Sequence, residues 1–309
     1  MDDFWAITAY FNPVGYSRRR TNYHLFRQHL EVPLLTVELG RGGAFELSGD
    51  DADILVQIPG HDVMWQKERL LNRALEALPA QCTKVAWLDA DLIFQSKGWS
   101  RRTAALLDRH ALVQPFGRVL RTTPAWRPGA APGEADVLDA VARHLDRGGS
   151  IASCLDARGE AARTALGMGW AAHRALLARH GLYDANIVGD GDSLLVAAAL
   201  GCIEAAVAQQ RMGPRREAHF RAWAEPFHAA VGGSIGCASG DVAHLWHGEL
   251  KDRRYAERIE DFRAFGFDPA EDVADADGAW RWNSAKPAMH AFVRDYFAGR
   301  REDGAAARV

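Results

Sequence analysis

The chain has 309 residues, of which 48% are apolar, 25% charged and 9% aromatic, with a formal net charge of −3 and an isoelectric point near 6.5. At roughly 100–200 residues per domain this is one large domain or two small ones, with ordinary globular composition and enough chain to bury a core without staples. The slightly acidic balance argues against a nucleic-acid binder, which would carry a basic excess, but leaves room for a local basic groove that takes phosphates. Cys82, Cys154, Cys202 and Cys237 have no CxxC spacing, so they read as small buried hydrophobes rather than as a zinc site or a disulfide framework. Met1-Asp2-Asp3-Phe4 has neither a basic n-region nor an apolar h-region, and the uncharged apolar run Leu194 to Ile203 covers about half a bilayer span. A soluble, cytoplasmic protein is expected.

Phe4 to Tyr10 reads as a buried strand, broken by Asn12-Pro13 and Gly15. Ser17 caps a helix to about Leu30, with Tyr23, Phe26 and Leu30 on one face. Val32 to Leu39 and Asp53 to Ile58 form the second and third strands, the latter ended by Pro59-Gly60. A helix from about Val63 to Leu78 follows, with Leu71, Ala74, Leu75 and Leu78 along one face. Lys84 to Leu88 is a fourth strand and stops at Asp89-Ala90-Asp91. This βαββαβ order predicts an α/β fold with a mostly parallel sheet, helices on its faces and ligands beyond the carboxyl ends of the strands. Residues 121 to 135, rich in Pro and Gly, read as an active-site flap. Helices are expected at about Asp136 to Asp146, Ala171 to His180 and Asp192 to Leu200, and a late strand at Val242 to His247. The chain divides into one domain over 1–250 and a charged, aromatic helical extension over 251–309, containing Trp280 and Trp282, that packs on it.

Four motifs carry the chemistry. Asp89 and Asp91 stand just past an apolar strand, where two carboxylates are costly unless paired. Mg²⁺ or Mn²⁺ is a natural partner for their oxygens and can stabilise a diphosphate leaving group, whereas a solvated acidic turn is the plain alternative. Lys67, four residues before Leu71, lies near a helix start at the carboxyl edge of the sheet, where it faces a nucleotide or snorkels to solvent. Gly167-Met168-Gly169-Trp170 and Gly189-Asp190-Gly191-Asp192 combine glycines that allow close approach to a ligand with two acids before an apolar helix, one of which can be an N-cap. His244 and His247 are either core residues or imidazole ligands that supply the third metal ligand.

In this order the motifs resemble the GT-A fold nucleotide-sugar glycosyltransferases, in particular the group of polypeptide N-acetylgalactosaminyltransferases and β1,4-galactosyltransferases and their bacterial relatives, over roughly residues 4 to 250. The resemblance implies a GT-A, Rossmann-like domain. Asp89 and Asp91 match its DxD motif, Arg174 its Arg-containing helix, Gly181 to Asp184 its Gly-x-Tyr-Asp turn, and Val242-Ala243-His244 its late metal histidine. It implies that Asp89, Asp91 and His244 bind Mn²⁺ or Mg²⁺. Thr8, Tyr10, Asn12, Lys67, Asp89, Gly169, Trp170 and His247 would then hold the donor, with His247 on the diphosphate. Gly-Asp-Gly-Asp stands where the family has Gly-Gly-Glu-Asp, so Asp192 matches the base of inverting members, Gly191 falls on the Glu, and Asp190 is the carboxylate available to replace it. Trp126 and Trp170 could stack on sugars, although core packing suits Trp170 better. The implied activity moves a sugar from a nucleotide-sugar, with UDP favoured, to a saccharide or glycolipid acceptor, and peripheral membrane association stays open. The alternatives are a non-catalytic sugar- or nucleotide-binding relative and a haloacid-dehalogenase-type phosphatase. The latter fits less well, because Ile93 and Leu194 stand where its motifs need Thr or Val and Asp.

Overall fold

The structure is a computed structural model, and the residues it describes are 3–130, 136–155 and 164–304. β1 (Phe4–Phe11), α1 (Ser17–His29), β2 (Leu34–Leu39), β3 (Ile54–Ile58), α2 (Lys67–Ala77) and β4 (Lys84–Leu88) follow the order read from the sequence. Next come β5 (Leu92–Phe94), α3 (Trp99–Leu106), β6 (Leu112–Gln114), β7 (Arg118–Arg121), β8 (Asp136–Ala140), α4 (Val141–Asp146), α5 (Ile151–Leu155), β9 (Thr164–Ala165), β10 (Gly169–His173) and α6 (Arg174–His180). The chain continues through α7 (Gly191–Ala199), α8 (Ile203–Gln209), α9 (Pro214–Val231), β11 (Ile235–Cys237) and β12 (Asp241–His244). It ends in α10 (Tyr255–Arg263), α11 (Pro269–Asp272), the hairpin β13 (Val273–Ala276) and β14 (Ala279–Trp282), and α12 (Pro287–Gly299).

The central sheet has seven strands in the order β11-β6-β10-β4-β1-β2-β3. β1 to β4 are parallel, β11 is parallel to β6, and β10 runs antiparallel to both of its neighbours, so only β10 opposes the common direction. The protein is therefore an α/β fold with a mixed, mostly parallel sheet. Strands covered on both faces are largely apolar, and β1 and β2 are buried almost end to end. Their buried hydroxyls are satisfied: Thr8 Oγ1 donates to Leu88 O at 2.7 Å, and Thr36 pairs with Tyr23 at 2.8 Å. Leu70, Leu71, Ala74 and Leu75 of α2 are buried in the core on this sheet. Met289, Val293 and Phe297 of α12 enter the same core, so the C-terminal segment shares it with the first half of the chain.

A second sheet has the order β5-β12-β7-β8-β9. Its register places His244 opposite Leu92, directly after the acidic turn that ends β4. Trp99 ties the two sheets together. Its ring stacks on Phe94 of β5 at 4.0 Å between centroids and meets Phe4 of β1 edge-on at 5.8 Å.

Three expectations are corrected. The helix expected at Asp136 to Asp146 begins as β8 and turns helical only at Val141, because Asp136 to Asp139 pair with β7. The helix expected from Ala171 starts at Arg174, because Ala171 and Ala172 bridge β4 and β6. The helical extension also contains a hairpin, in which Trp280 and Trp282 lie on β14 and Asp277 and Gly278 turn the chain with positive φ. Of the expected flap, Arg121 belongs to β7 and residues 131–135 lie outside the described residues. No helix among the described residues is long and apolar enough to cross a membrane.

Trp99 is 1% exposed. Trp99→Ala should cost about 3–5 kcal/mol of unfolding free energy, the usual range for deleting a buried aromatic, whereas Trp99→Phe should cost clearly less. Denaturant unfolding measures both, and an Ala variant as stable as the parent would show that the stack does not join the sheets.

Candidate active site

A cavity of about 520 Å³ opens where the carboxyl ends of β1 and β4 meet the start of α7 and the segment after β12. This is an ordinary size for a small-molecule site, which typically holds roughly 300–1,000 Å³. Tyr10, Lys67, Asp89, Asp91, Asp190, Asp192, His244 and His247 all line it.

The acidic turn is fixed from both sides. Asp89 N donates to Met168 O, and Leu245 N donates to Asp91 O, each at 2.8 Å. Pairing of β5 with β12 then brings His244 to the turn. Asp91 Oδ2 lies 3.0 Å from His247 Nε2 and 3.6 Å from His244 Nε2, and the two Nε2 atoms are 3.2 Å apart. The three residues offer one ligand atom each within 4.8 Å of one another, and Asp91 Oδ1 is buried with no hydrogen-bond partner. One carboxylate, two imidazoles and an orphaned oxygen suit a divalent cation of the borderline class. Against the pull of burial, the two imidazoles hold the Asp91 carboxyl well below its usual range. Burial lowers His244, favouring the neutral ring that a metal requires. His247 therefore stands with Asp91 and His244 rather than apart from them.

Asp89 turns away from that triad. Lys67 Nζ lies 2.7 Å from Asp89 Oδ1 and 2.9 Å from Asp192 Oδ2, tying the end of β4 to the first turn of α7. Burial pushes Asp192 up while Lys67 opposes it, and the two Asp carboxylates raise Lys67 well above its ordinary value despite desolvation. Two glycines make room for this cluster. A Cβ on Gly167 would fall 2.3 Å from Asp192 Oδ2, and one on Gly191 would fall 2.3 Å from Glu68 Oε1. The carboxyl group filling the space beside Gly191 thus comes from Glu68 of α2, not from Asp190. Asp190, in the left-handed region with φ 77°, accepts from Ser193 Oγ and Gln210 Nε2 at 2.6 Å each and makes no cap to the helix backbone.

The remaining residues expected on the donor are placed as follows. Tyr10 lines the cavity, but its hydroxyl donates to Glu46. Asn12 bonds Glu46 and the backbone of Tyr16, which organises the loop after β2. Thr8 is buried beneath Leu88, Gly169 sits in the β10–β4 pair, and Trp170 is a core residue whose Nε1 donates to Leu166 O. Of these five, only Tyr10 is at the cavity wall. Trp126 packs beside Ile93, Ala243 and Leu245. Glu46, Glu68, Arg253 and Arg258 were not singled out from the sequence. Only the helical register next to Lys67 could have pointed to Glu68.

No protein-family model matches the chain, and no curated protein matches it. Among solved structures, S. aureus TarS is similar at 12% identity and a TM-score of 0.40, over 87% of this chain and 45% of TarS. The chain thus spans less than half the length of that protein. Glucosyl-3-phosphoglycerate synthase from M. tuberculosis is similar at 13% identity and a TM-score of 0.40, over 91% of this chain and 88% of the synthase. A structure of that synthase with Mg²⁺ and uridine diphosphate is similar at 13% identity and a TM-score of 0.38, over 84% and 78% of the two chains. These similarities are remote.

Glu68 is 6% exposed, and burial raises its carboxyl from 4.5 to about 8, Lys67 only partly opposing. A carboxyl raised in the folded state contributes stability that is full below pH 4.5 and is lost as pH rises to about 8. Glu68→Gln carries no such loss. Its melting temperature should match the parent at about pH 4 and exceed it by a growing margin up to about pH 8. Parallel melting profiles across that window would refute the buried, protonated state.

Proposed function

We propose that the protein is a metal-dependent glycosyltransferase, moving a sugar from a nucleotide-sugar donor, a UDP-sugar by the sequence resemblance, to a saccharide or glycolipid acceptor. The observation that carries this reading is one cavity at the sheet's carboxyl edge holding both the Asp91–His244–His247 triad and the Lys67-bound pair Asp89 and Asp192. Asp91, His244 and His247 would hold the cation. A divalent ion bound there supplies positive charge against a departing diphosphate.

The chain's own groups divide the remaining work. Lys67 fixes Asp89 on the donor side and draws Asp192 toward the same point. Asp192 is the proposed base: its carboxyl lines the cavity at the first turn of α7, where a helix N-terminus favours the anion. A carboxyl raised from its ordinary value accepts a proton more readily than a free aspartate, provided it is still ionised at the working pH. Asp190, already bonded to Ser193 and Gln210, positions the turn that presents Asp192.

Isothermal titration of UDP with Mn²⁺ is the first check. Asp91→Ala and His244→Ala should each abolish metal-dependent binding while leaving the circular dichroism of the fold intact, and parental affinity in both would remove the metal centre. In a nucleoside-diphosphate release assay, Asp192→Asn should lower kcat by ~10²–10⁴-fold with donor binding little changed. An equal, mild effect from Asp190→Asn and Asp192→Asn, or a product that retains the donor's anomeric configuration, would contradict the assignment of the base.

A further inference from the structure

Two guanidinium groups at the cavity form no ion pair with a carboxylate among the described residues, although Arg258 pulls the carboxyl of Asp190 down against the effect of burial. Arg19 and Arg300 share Glu302, with Nε to carboxylate distances of 2.6 Å each, and Arg121 pairs with Asp136 at 2.8 Å. Lys67 is occupied by Asp89 and Asp192. Arg253 and Arg258 line the same cavity and are 8% and 3% exposed, yet neither forms an ion pair with a carboxylate among the described residues. Arg253 Nη2 lies 2.9 Å from His247 Nε2, and its Nη1 donates to the Tyr255 hydroxyl at 3.2 Å. Arg258 donates through Nη1 to Tyr296 Oη at 2.6 Å and to Arg253 O at 3.2 Å. Nε of both arginines is buried without a hydrogen-bond partner.

A buried cation left unpaired is costly, and the cost is relieved by an anion that enters the cavity. The two residues sit on consecutive turns of the chain, joined by the hydrogen bond from Arg258 Nη1 to Arg253 O. Arg253 ends a short 3₁₀ turn, Leu250–Arg253, Arg254 reverses the chain with φ 45°, and α10 then starts with Tyr255 and carries Arg258 on its next turn. Arg258 also reaches the other side of the cavity, where its Nη2 lies 3.5 Å from the position of a Cβ on Gly189, next to Asp190. The pair therefore spans from the histidine triad to the loop that carries the proposed base. Two guanidiniums and a phenol match a tetrahedral oxyanion better than a single carboxylate, because each donor then meets its own oxygen.

We propose that Arg253, Tyr255 and Arg258 form a subsite for a phosphate monoester on the acceptor, so that this transferase, if the reading above holds, glycosylates a small phosphorylated compound. The depth of burial favours a soluble phosphate over a lipid headgroup held in a bilayer.

The test uses inorganic phosphate as the probe on the full chain. Wild-type protein saturated with UDP and Mn²⁺ should still bind phosphate, seen by titration calorimetry and a raised melting temperature. Arg258→Gln should weaken that binding by about 10- to 100-fold, the usual effect of losing a charged hydrogen-bond donor, with UDP affinity unchanged and partial recovery in Arg258→Lys. Competition between phosphate and UDP in the wild type, or an equal loss of both in Arg258→Gln, would assign the arginines to the donor diphosphate and overturn the proposal. So would phosphate binding that the substitution leaves intact. Should Arg258→Gln fail to fold, the wild-type competition and Tyr255→Phe decide in its place, the latter being expected to weaken phosphate alone. Retention on phosphatidylcholine vesicles only when they contain phosphatidic acid, without a response to soluble phosphate, would also overturn it. Absence of any UDP–Mn²⁺ binding would defeat the transferase reading. Phosphate titration of the unliganded wild type and Arg258→Gln would then judge the subsite on its own.

Discussion

Lys67 Nζ sits 2.7 Å from a carboxylate at the end of β4 and 2.9 Å from one in the first turn of α7, so a single ammonium ties α2 and β4 to an element far along the chain. Removing one member of a fully buried ion pair costs about 3–5 kcal/mol, and less here because Asp89 and Asp192 keep 30% and 24% of their side chains in contact with solvent. Much of the surrounding detail follows from this contact. Docking Lys67 at the sheet edge forces its neighbour Glu68 into the interior, where its carboxyl takes the space that a side chain at position 191 would fill. Gly167 and Gly191 are small because carboxyl groups press against them, and neither has a positive φ that would give another reason for glycine.

The metal-type triad depends on a different constraint, the meeting of the two sheets. Asp91 follows β4 directly, whereas His244 and His247 come about 150 residues later, and only the antiparallel pairing of β5 with β12 brings them into reach. That pairing is held on its outer side by the Phe94–Trp99–Phe4 contacts, which link β5 back to β1. Core packing and site geometry thus meet in β5, whose register places the carboxylate beside the imidazoles.

The first four strands were legible in the sequence because each is a short apolar run closed by a turn signal, and a doubly covered parallel strand needs nothing else. The segments at 136–146 and 171–180 were not, since Ala-rich stretches satisfy helical and extended patterns equally and long-range pairing with β7 and β4 decided the outcome. The β13–β14 hairpin did carry a signal, Asp277-Gly278 between alternating residues, that the aromatic composition of the segment obscured. In the site, Asp89, Asp91, Lys67, Asp192, His244 and His247 could be picked out because charged groups next to apolar strands and helix starts are conspicuous. Their partners could not. Nothing local tells that Lys67 reaches Asp192, 125 positions away, or that Asn12 is consumed by Glu46.

What remains chemically available in the cavity is defined by subtraction. Polar groups buried in a folded protein are paired, so those left over mark where a ligand completes the structure. Asp89 and Asp192 share Lys67, Asp190 accepts from Ser193 and Gln210 and feels the charge of Arg258, and Arg19 and Arg300 share Glu302, whose carboxyl they hold well below its usual range against the effect of burial. Among the cavity-lining groups left without a partner are one oxygen of Asp91 at one end and the Nε atoms of Arg253 and Arg258 at the other. An imidazole nitrogen has one lone pair, so His247 Nε2 cannot accept from Arg253 and bind a cation at the same time. A cation held by the proposed triad would therefore turn Arg253 away from His247 and toward an anion in the same cavity.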